Sequence, residues 1–457
     1  MKCAFFKTAL FIAAAPIMLG HASELNHYAP AIYGTRDFFV PSDPGLYYSQ
    51  INFTYLSDQF NDGDGNAFSS LSIPGSLDLS RTISGAGSFS LASARGSSFS
   101  FNYQGSRLDV AGGFQRNTTT TATVSLDAEI MARLRTQSVT RITVEDLDVR
   151  TTGIVPTVVW SSDTKVLGGR LGGMISLPIV DMSIDARLKA TTDIKGRLDG
   201  RLTARAVAQL TAQSTVDGTI TITDPDGNRL DFSGGQTFNT GATVGGTVSQ
   251  SFREDFSVQH ESVVEIQDSS TALGDLFVQP VWVGWGGDHY DLSISDGFFA
   301  PTGRYEAGAL DNTGMGFWSN LTTVAGAWYP FKSRGTAITA AAAYEVHSNR
   351  EGVDIRPGDN FTISWGFSQF LPLNKSGTLL ADLGVSGYSI FQVSDDTGRD
   401  VVYDASIHDE VHAYGIQGGL LYVPWNATMT IRWLHEFGAR DRFVGDMYVL
   451  NFAKKIW

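Results

Sequence analysis

The sequence predicts an all-β fold, a transmembrane antiparallel β-barrel of about 12 strands with long β-rich outward extensions. Three observations predict it. Many segments alternate with period two, which sends successive side chains to opposite faces of a strand, and one of the two faces is markedly apolar. Beyond residue 22 no run reaches the roughly 18 uninterrupted apolar residues of a spanning helix. Short breaks between strands alternate with longer polar links, the asymmetry of a barrel with tight periplasmic turns and extended outward loops.

The chain opens as a secretory signal over residues 1–22. Lys2 and Lys7 give a basic start, Ala9 to Leu19 an apolar stretch, and small residues surround an expected cleavage near Ala22 or Ser23. The apolar stretch is too short for a span, which takes roughly 20 residues. Cys3, the only cysteine, falls inside this signal, so the mature chain has no disulfide framework, thiolate metal site or cysteine nucleophile. Composition narrows the class further. Charged residues make up 18%, against about 25% in a soluble domain. The net charge of -14 argues against nucleic acid and against docking on acidic lipid headgroups.

Residues 23–44 mix Tyr28, Tyr33, Phe38 and Phe39 with polar residues and precede the first strand, as a periplasmic lead or a plug folded into the lumen. The barrel is assigned to residues 45–457. Its first strand sets Tyr47, Ile51, Phe53 and Tyr55 against Tyr48, Gln50, Asn52 and Thr54. Phe361, Ile363, Trp365, Phe367 and Leu371 likewise share a face opposite Thr362, Ser364, Gly366 and Ser368, and Met429, Ile431 and Trp433 oppose Thr428, Thr430 and Arg432. Tight turns are expected at Ser161–Thr164, Gly286–Asp288, Pro330–Arg334, Pro372–Ser376 and Pro424–Asn426. Trp160, Trp285, Tyr329, Leu371 and Trp425 beside them would line one membrane interface. Long links are expected at Pro301–Gly316, Ser348–Asn360, Ser394–Glu410 and Gly438–Asp446.

Two long insertions interrupt this rhythm, at 58–148 and 179–273. In the second, even positions such as Ile184, Leu188, Leu198, Leu202 and Ile222 are apolar while odd ones carry Asp185, Arg187, Asp199 and Arg201. Asp224-Pro225-Asp226-Gly227-Asn228 is a hairpin turn signal. A β-rich outward extension is expected, with flexible loops or extra wall strands as the alternatives.

Several residue sets then resemble one outer-membrane family. They are Arg36-Asp37-Phe38-Phe39-Val40-Pro41 with Pro44-Gly45-Leu46-Tyr47, Pro156–Trp160 with Lys165-Val166-Leu167-Gly168, and Gly274–Pro280. Phe299–Tyr305, Tyr344-Glu345-Val346-His347, Tyr422-Val423-Pro424-Trp425, and Glu436-Phe437-Gly438 before Asp441-Arg442-Phe443 complete the set. The family is the putative MetA-pathway of phenol degradation, SphA-like members included. The resemblance covers roughly residues 30–60, 150–178 and 273 to the end. It implies a barrel of the Gram-negative outer membrane associated with aromatic compounds and sphingoid lipids. Both insertions are longer than expected for the family, and Trp457 stands one residue beyond the usual aromatic end.

No Gly-x-Ser-x-Gly elbow, His-Glu-x-x-His helix or phosphate-binding Gly-Lys loop occurs, so no enzyme is expected. Asp395, Asp396, His408 and Asp409 share one link and read as a solvated acidic loop. Asp58, Asn61, Asp62, Asp64 and Asn66 resemble a calcium loop, but the closing glutamate position is Ile73, so a turn is expected and no metal. Glu345, His347, Asp382, Arg432 and Glu436 fall on the lumen face, where they serve either a structural polar network or a solute path with Arg304, Tyr305 and Trp318 near its outer mouth. The leading expectation is a channel for passive uptake of hydrophobic small molecules, with no cofactor. Its partners would be outer-membrane lipid, the solute and the barrel assembly machinery, with no nucleic acid. The alternatives are a surface-exposed binding or adhesion protein anchored by its barrel, and an outer-membrane hydrolase.

Overall fold

A computed structural model describes residues 27–91, 97–104, 109–117, 122–210, 214–224, 226–238 and 243–457. The expected signal and its cleavage site lie outside the described residues. Strands β1 (Gly45–Asn61), β2 (Ser70–Leu91), β3 (Ser97–Gln104), β4 (Asp109–Asn117), β5 (Ala122–Val166), β6 (Gly169–Ser176), β7 (Ile179–Leu210), β8 (Ser214–Thr223), β9 (Arg229–Phe238) and β10 (Thr243–Leu273) come first. They are followed by β11 (Leu276–Gly286), β12 (Tyr290–Ala300), β13 (Ser319–Trp328), β14 (Thr336–His347), β15 (Asn360–Pro372), β16 (Leu379–Gln392), β17 (Glu410–Tyr422), β18 (Ala427–Arg440) and β19 (Arg442–Lys455). No helix among the described residues is long and apolar enough to cross a membrane.

The chain divides into two units. The first comprises Met1–Leu71, Ile142–Ala190 and Ser262–Trp457. Here twelve strands pair antiparallel in the order β1-β19-β18-β17-β16-β15-β14-β13-β12-β11-β6-β5, and β5 returns to β1. β1 is paired from Tyr47↔Lys455 to Asn61↔Arg442 on one side and from Gly45↔Ser161 to Ser57↔Val149 on the other. Closure gives each of these twelve strands a neighbour on both sides, so their ladders are paired without help from water. The strand count read from the sequence is the count found.

Period two decides which side chains enter the barrel. On β14 Ala337, Thr339, Ala341, Ala343, Glu345 and His347 are buried, while Ile338 and Tyr344 are 45% and 42% exposed. On β15 Thr362, Ser364 and Ser368 are buried and Ile363, Trp365 and Phe367 exposed, with the faces assigned as the alternation predicts. The exposed face continues through Leu292, Val324, Val385, Ile416, Ile431 and Leu450. Such a contiguous apolar belt around a closed barrel is the surface that lipid covers.

The structure corrects three local expectations. Ser161–Thr164 lies within β5, and the turn comes later at Leu167 and Gly168, whose φ values of 50° and 82° suit a two-residue hairpin. Gly438–Asp446 is no long link: β18 and β19 continue through it and only Asp441, at φ 51°, separates them. Cross-strand pairing outlasted a glycine that the sequence reading took as a break. Tyr329 leaves the expected aromatic row, being 3% exposed with its hydroxyl donating to Asp291 at 2.6 Å. An aromatic beside a turn can face either way, and the Arg334 guanidinium stacked 4.2 Å from its ring favours the inward one.

The second unit, Ser72–Arg141 with Thr191–Glu261, holds a four-stranded sheet in the order β3-β4-β8-β9. Strands make up most of the described parts of both insertions. The Asp224–Asn228 signal makes the β8–β9 hairpin, where the Asp224 carboxylate accepts from the Asp226 and Asn228 amides at 2.9 Å each. Ile130, Leu202 and Ile222 form its apolar cluster. The odd-numbered charges pair across strands, as in Arg197–Asp255 and Asp199 with Arg135 and Arg253. Being exposed, these pairs are screened by solvent and add little to stability.

A lumen segment and its cavity

Residues His27 to Pro44 form no strand beyond the 3-10 turn Pro30–Ile32, so their backbone groups need partners from elsewhere. The barrel wall supplies them. Glu345 Oε2 accepts from the Tyr28 amide at 3.3 Å. Arg432 donates to the Ile32 carbonyl at 2.6 Å and to the Tyr33 carbonyl. The Gln417 side chain accepts from the Thr35 amide at 3.3 Å and donates to the Thr35 hydroxyl at 3.0 Å. Ser293 and Ser161 donate to the carbonyls of Phe38 and Pro41 at 2.6 and 2.9 Å. Arg36 donates to the carbonyls of Arg334 and Gly335 in the β13–β14 turn and stacks 4.0 Å from Phe370. The segment therefore runs from the long-loop end of the barrel, where His27 lies 2.8 Å from Asp275, to the turn end.

A cavity of about 880 Å³ lies between this segment and the wall. Ile51, Phe53, Val155, Met174 and Phe277 form its apolar wall side, and Met182, Ile184 and Leu188 of β7 extend it. Its volume is that of a small-molecule site, and the larger part of its surface is apolar, with polar and charged groups spread along it, among them Asp382, Gln417 and Glu436.

The residues singled out from the sequence separate into three groups. Tyr305, Asp382 and Glu436 line the cavity. Tyr305 is set by Gly316, at φ 71°, where an added Cβ would stand 2.4 Å from the tyrosine ring. Asp382 Oδ2 accepts from Gln417 at 2.8 Å, and its Oδ1 is buried without a hydrogen-bond partner. Glu436 accepts from the hydroxyls of Tyr55 and Tyr388 at 2.9 and 2.7 Å and from the Gly445 amide. Glu345, His347 and Arg432 face inward but are covered by the segment, with Arg432 1% exposed. Arg304 and Trp318 do not line the cavity. Arg304 is spent on Asp311, and Trp318, 52% exposed, packs on Phe298 of the outer face.

Sequence reasoning missed His27, Asp275 and Ser319. Ser319 was recoverable, since it shares the inward face with Leu321 and Thr323; a lone histidine in an irregular segment gives no signal. Ser319 Oγ stands 2.6 Å from His27 Nδ1, whose other nitrogen meets Asp275, a serine–histidine–carboxylate chain in outline. The hydroxyl is 1% exposed and shared with His347 Nδ1 at 2.7 Å, so it presents no nucleophile to a solute. In the β16–β17 loop His408 pairs with Asp395 at 2.8 Å, and burial pushes the Asp409 carboxyl up to about 6 against the nearby Arg442 charge. At the proposed calcium look-alike, the Asp62 carboxylate accepts from the amides of Asp64 and Asn66, which is a turn.

Comparison with known proteins sets this barrel among others. No curated protein matches the chain. The COG4313 outer membrane channel from Pseudomonas putida F1 shares 6% identity at a TM-score of 0.48, over 92% of this chain and 99% of that one. The translocator domain of the autotransporter NalP from Neisseria meningitidis shares 10% identity at 0.26, over 93% and 94%. A Pseudomonas aeruginosa FadL homologue shares 10% at 0.24, over 90% of each chain. The family profile described as "Putative MetA-pathway of phenol degradation" matches residues 132–452. With most of its length matched, this chain belongs to that family.

Proposed function

We propose that the protein is an outer-membrane channel for passive uptake of hydrophobic small molecules, aromatic or lipid-like, in a Gram-negative bacterium. The observation that carries this reading is the apolar cavity of about 880 Å³ inside a closed barrel, beside a lumen segment held by side-chain hydrogen bonds. A solute entering past Tyr305 exchanges water for Met182, Ile184 and Phe277, each buried aliphatic carbon contributing about 0.8 kcal/mol to partitioning. Residues 27–44 act as a plug that narrows the lumen to the space beside them. The polar groups Asp382, Gln417 and Glu436 orient one end of the guest and keep it from binding too tightly to leave.

The family's name supports aromatic compounds as the first solutes to try. Uptake of radiolabelled monoaromatic and long-chain solutes is compared in deletion cells and cells complemented with the wild-type chain or Met174→Trp, which narrows the cavity. Complementation restores uptake and Met174→Trp reduces it several-fold. Equal uptake in deletion and complemented cells, for every hydrophobic solute tried, overturns the proposal.

A further inference from the structure

We propose that His27, Glu345 and His347 form a binding site for a divalent borderline-soft metal ion of the zinc class, which latches the lumen segment to strand β14. The inference goes beyond the channel reading and does not need it. It rests on where six buried polar groups stand.

Three candidate ligand atoms converge. His27 Nδ1 lies 3.6 Å and His347 Nδ1 3.8 Å from the same oxygen, Glu345 Oε1, and all three lie within 4.8 Å of one another. A tetrahedral site with bonds of about 2.0–2.1 Å has ligand atoms about 3.3 Å apart, so each imidazole needs to move only a few tenths of an ångström toward the carboxylate, while the two imidazoles must approach each other by up to about 1.5 Å. Two imidazoles and one carboxylate are a donor set that suits Zn²⁺ and Co²⁺ and leaves one position open. Ser319 Oγ, 2.6 and 2.7 Å from the two ring nitrogens, or a water fills it.

The surrounding groups point to a cation more strongly than the ligands do. Glu345 Oε1 is buried and accepts no hydrogen bond, while one serine hydroxyl, with one proton, faces two ring nitrogens. An unmet buried carboxylate oxygen is costly, and a metal ion removes that cost.

A histidine that binds metal through Nδ1 must carry its proton on Nε2 and give it to an acceptor. For His27 the acceptor is in place: Asp275 Oδ2 at 2.8 Å. That carboxylate is itself fixed by the amides of Gly303 and Met315 at 2.8 and 2.7 Å. For His347 the neighbour is Asn360, whose Nδ2 stands 3.1 Å from Nε2 while its Oδ1 is buried without a partner. Turning the amide over exchanges the two atoms, which are alike in shape, and lets Oδ1 accept from Nε2–H. One rotation thus gives Oδ1 a donor and sets the tautomer that frees His347 Nδ1 for metal. Phe299 stacks on His27 at 4.8 Å and Phe317 sets its edge on both imidazoles at 4.9 and 5.1 Å, holding the rings and excluding water.

His27 belongs to the segment and the other two ligands to the wall, so the ion ties one to the other. The test uses the full-length mature chain refolded in detergent, stripped with chelator and titrated with Zn²⁺ alone at pH 7.5 by calorimetry, with bound metal counted after dialysis. The wild type binds one ion per chain. His27→Ala and His347→Ala each weaken binding at least about 100-fold, and Asp275→Asn weakens it about 10-fold. Because His27 lies outside the barrel wall, H27A keeps a folded barrel even where H347A does not. Zn²⁺ also slows amide exchange at residues 28–33 of the wild type and leaves it unchanged in H27A. Failure to bind, or equal binding by wild type and H27A, overturns the inference. Neither outcome involves solute uptake, so the channel reading stands or falls separately.

Discussion

Arg432→Met tests what holds the lumen segment. The guanidinium is 1% exposed and its donors go to the carbonyls of Ile32 and Tyr33. Hydrogen bonds to a charged group are worth about 1.5–3 kcal/mol each, so two give about 3–6 kcal/mol in gross terms. Departure of the segment rehydrates the guanidinium, and that gain offsets several kcal/mol. The net clamp is on the order of 2 kcal/mol. Methionine has similar length but donates nothing, so two carbonyls then face a thioether. The segment should leave the lumen about 30-fold more often, since about 1.4 kcal/mol is a factor of ten. Amide exchange over residues 28–36, followed by mass spectrometry in detergent, reads this directly, and bilayer conductance rises with it. The barrel strands serve as the internal control. Exchange over 28–36 within a factor of about 3 of wild type, with unchanged strands, would refute the clamp.

Val385→Arg, at the middle of β16 on the exposed face, should cost about 2–4 kcal/mol of folding free energy in lipid vesicles; urea titration of refolding measures it, and a cost near zero would remove lipid from that face. Ala343→Leu overpacks the wall against Tyr28 and should cost about 1–3 kcal/mol, whereas Ala342→Leu on the opposite face costs little. Thermal unfolding of the pair distinguishes them, and equal losses would contradict the inward assignment. Asp409, with a folded value of about 6 against 3.8 when exposed, binds its proton more tightly in the native loop, so loop stability is greatest below pH 4 and falls as pH rises from 4 to 6. Asp409→Asn should abolish that dependence, read as amide exchange of residues 393–409 at pH 4.5 and 7; a loop equally protected at both pH values in the wild type sinks the assignment.

The wall of the barrel was legible because it obeys a period. Thr362, Ser364 and Ser368 point inward and Ile363, Trp365 and Phe367 outward for the same reason that they alternate in the sequence. Twelve strands follow once runs and turns are counted with both ends on one side. The reading failed where a turn signal competed with strand pairing. Gly438 looks like a break, yet β18 stays paired with β17 past it, across a register shift between His412↔Phe437 and Glu410↔Arg440, and glycine in a strand marks irregularity as often as an end. Tyr329 failed because neighbourhood to a turn says nothing of which face a ring takes. The candidate site was half legible: Glu345, Asp382, Arg432 and Glu436 were identified as inward-facing from alternation alone, but what they face was not. Contacts between a strand and an irregular segment some 300 or 400 positions away, such as Tyr28 to Glu345 or Arg432 to Tyr33, leave no periodic trace.

That contact pattern changes the meaning of the lumen charges. A strand satisfies its amides and carbonyls on its neighbours, and residues 27–44 have no such neighbour, so groups that their own turns do not pair take side chains from the wall. Arg432 serves Ile32 and Tyr33, Glu345 serves Tyr28, Gln417 serves Thr35, and Ser293 and Ser161 serve Phe38 and Pro41. These wall residues are thus complementary first to a stretch of backbone. A solute path that required the segment to leave would expose a guanidinium and a carboxylate at once, and water or ions would occupy them before an apolar guest did. The cavity avoids that conflict because it runs beside the segment, along Phe53, Val155 and Met174, and touches neither Arg432 nor Glu345. Retention of the segment and passage of a greasy solute are compatible in this arrangement, which is why loosening Arg432 should raise the conductance of ions far more than the uptake of hydrophobic compounds.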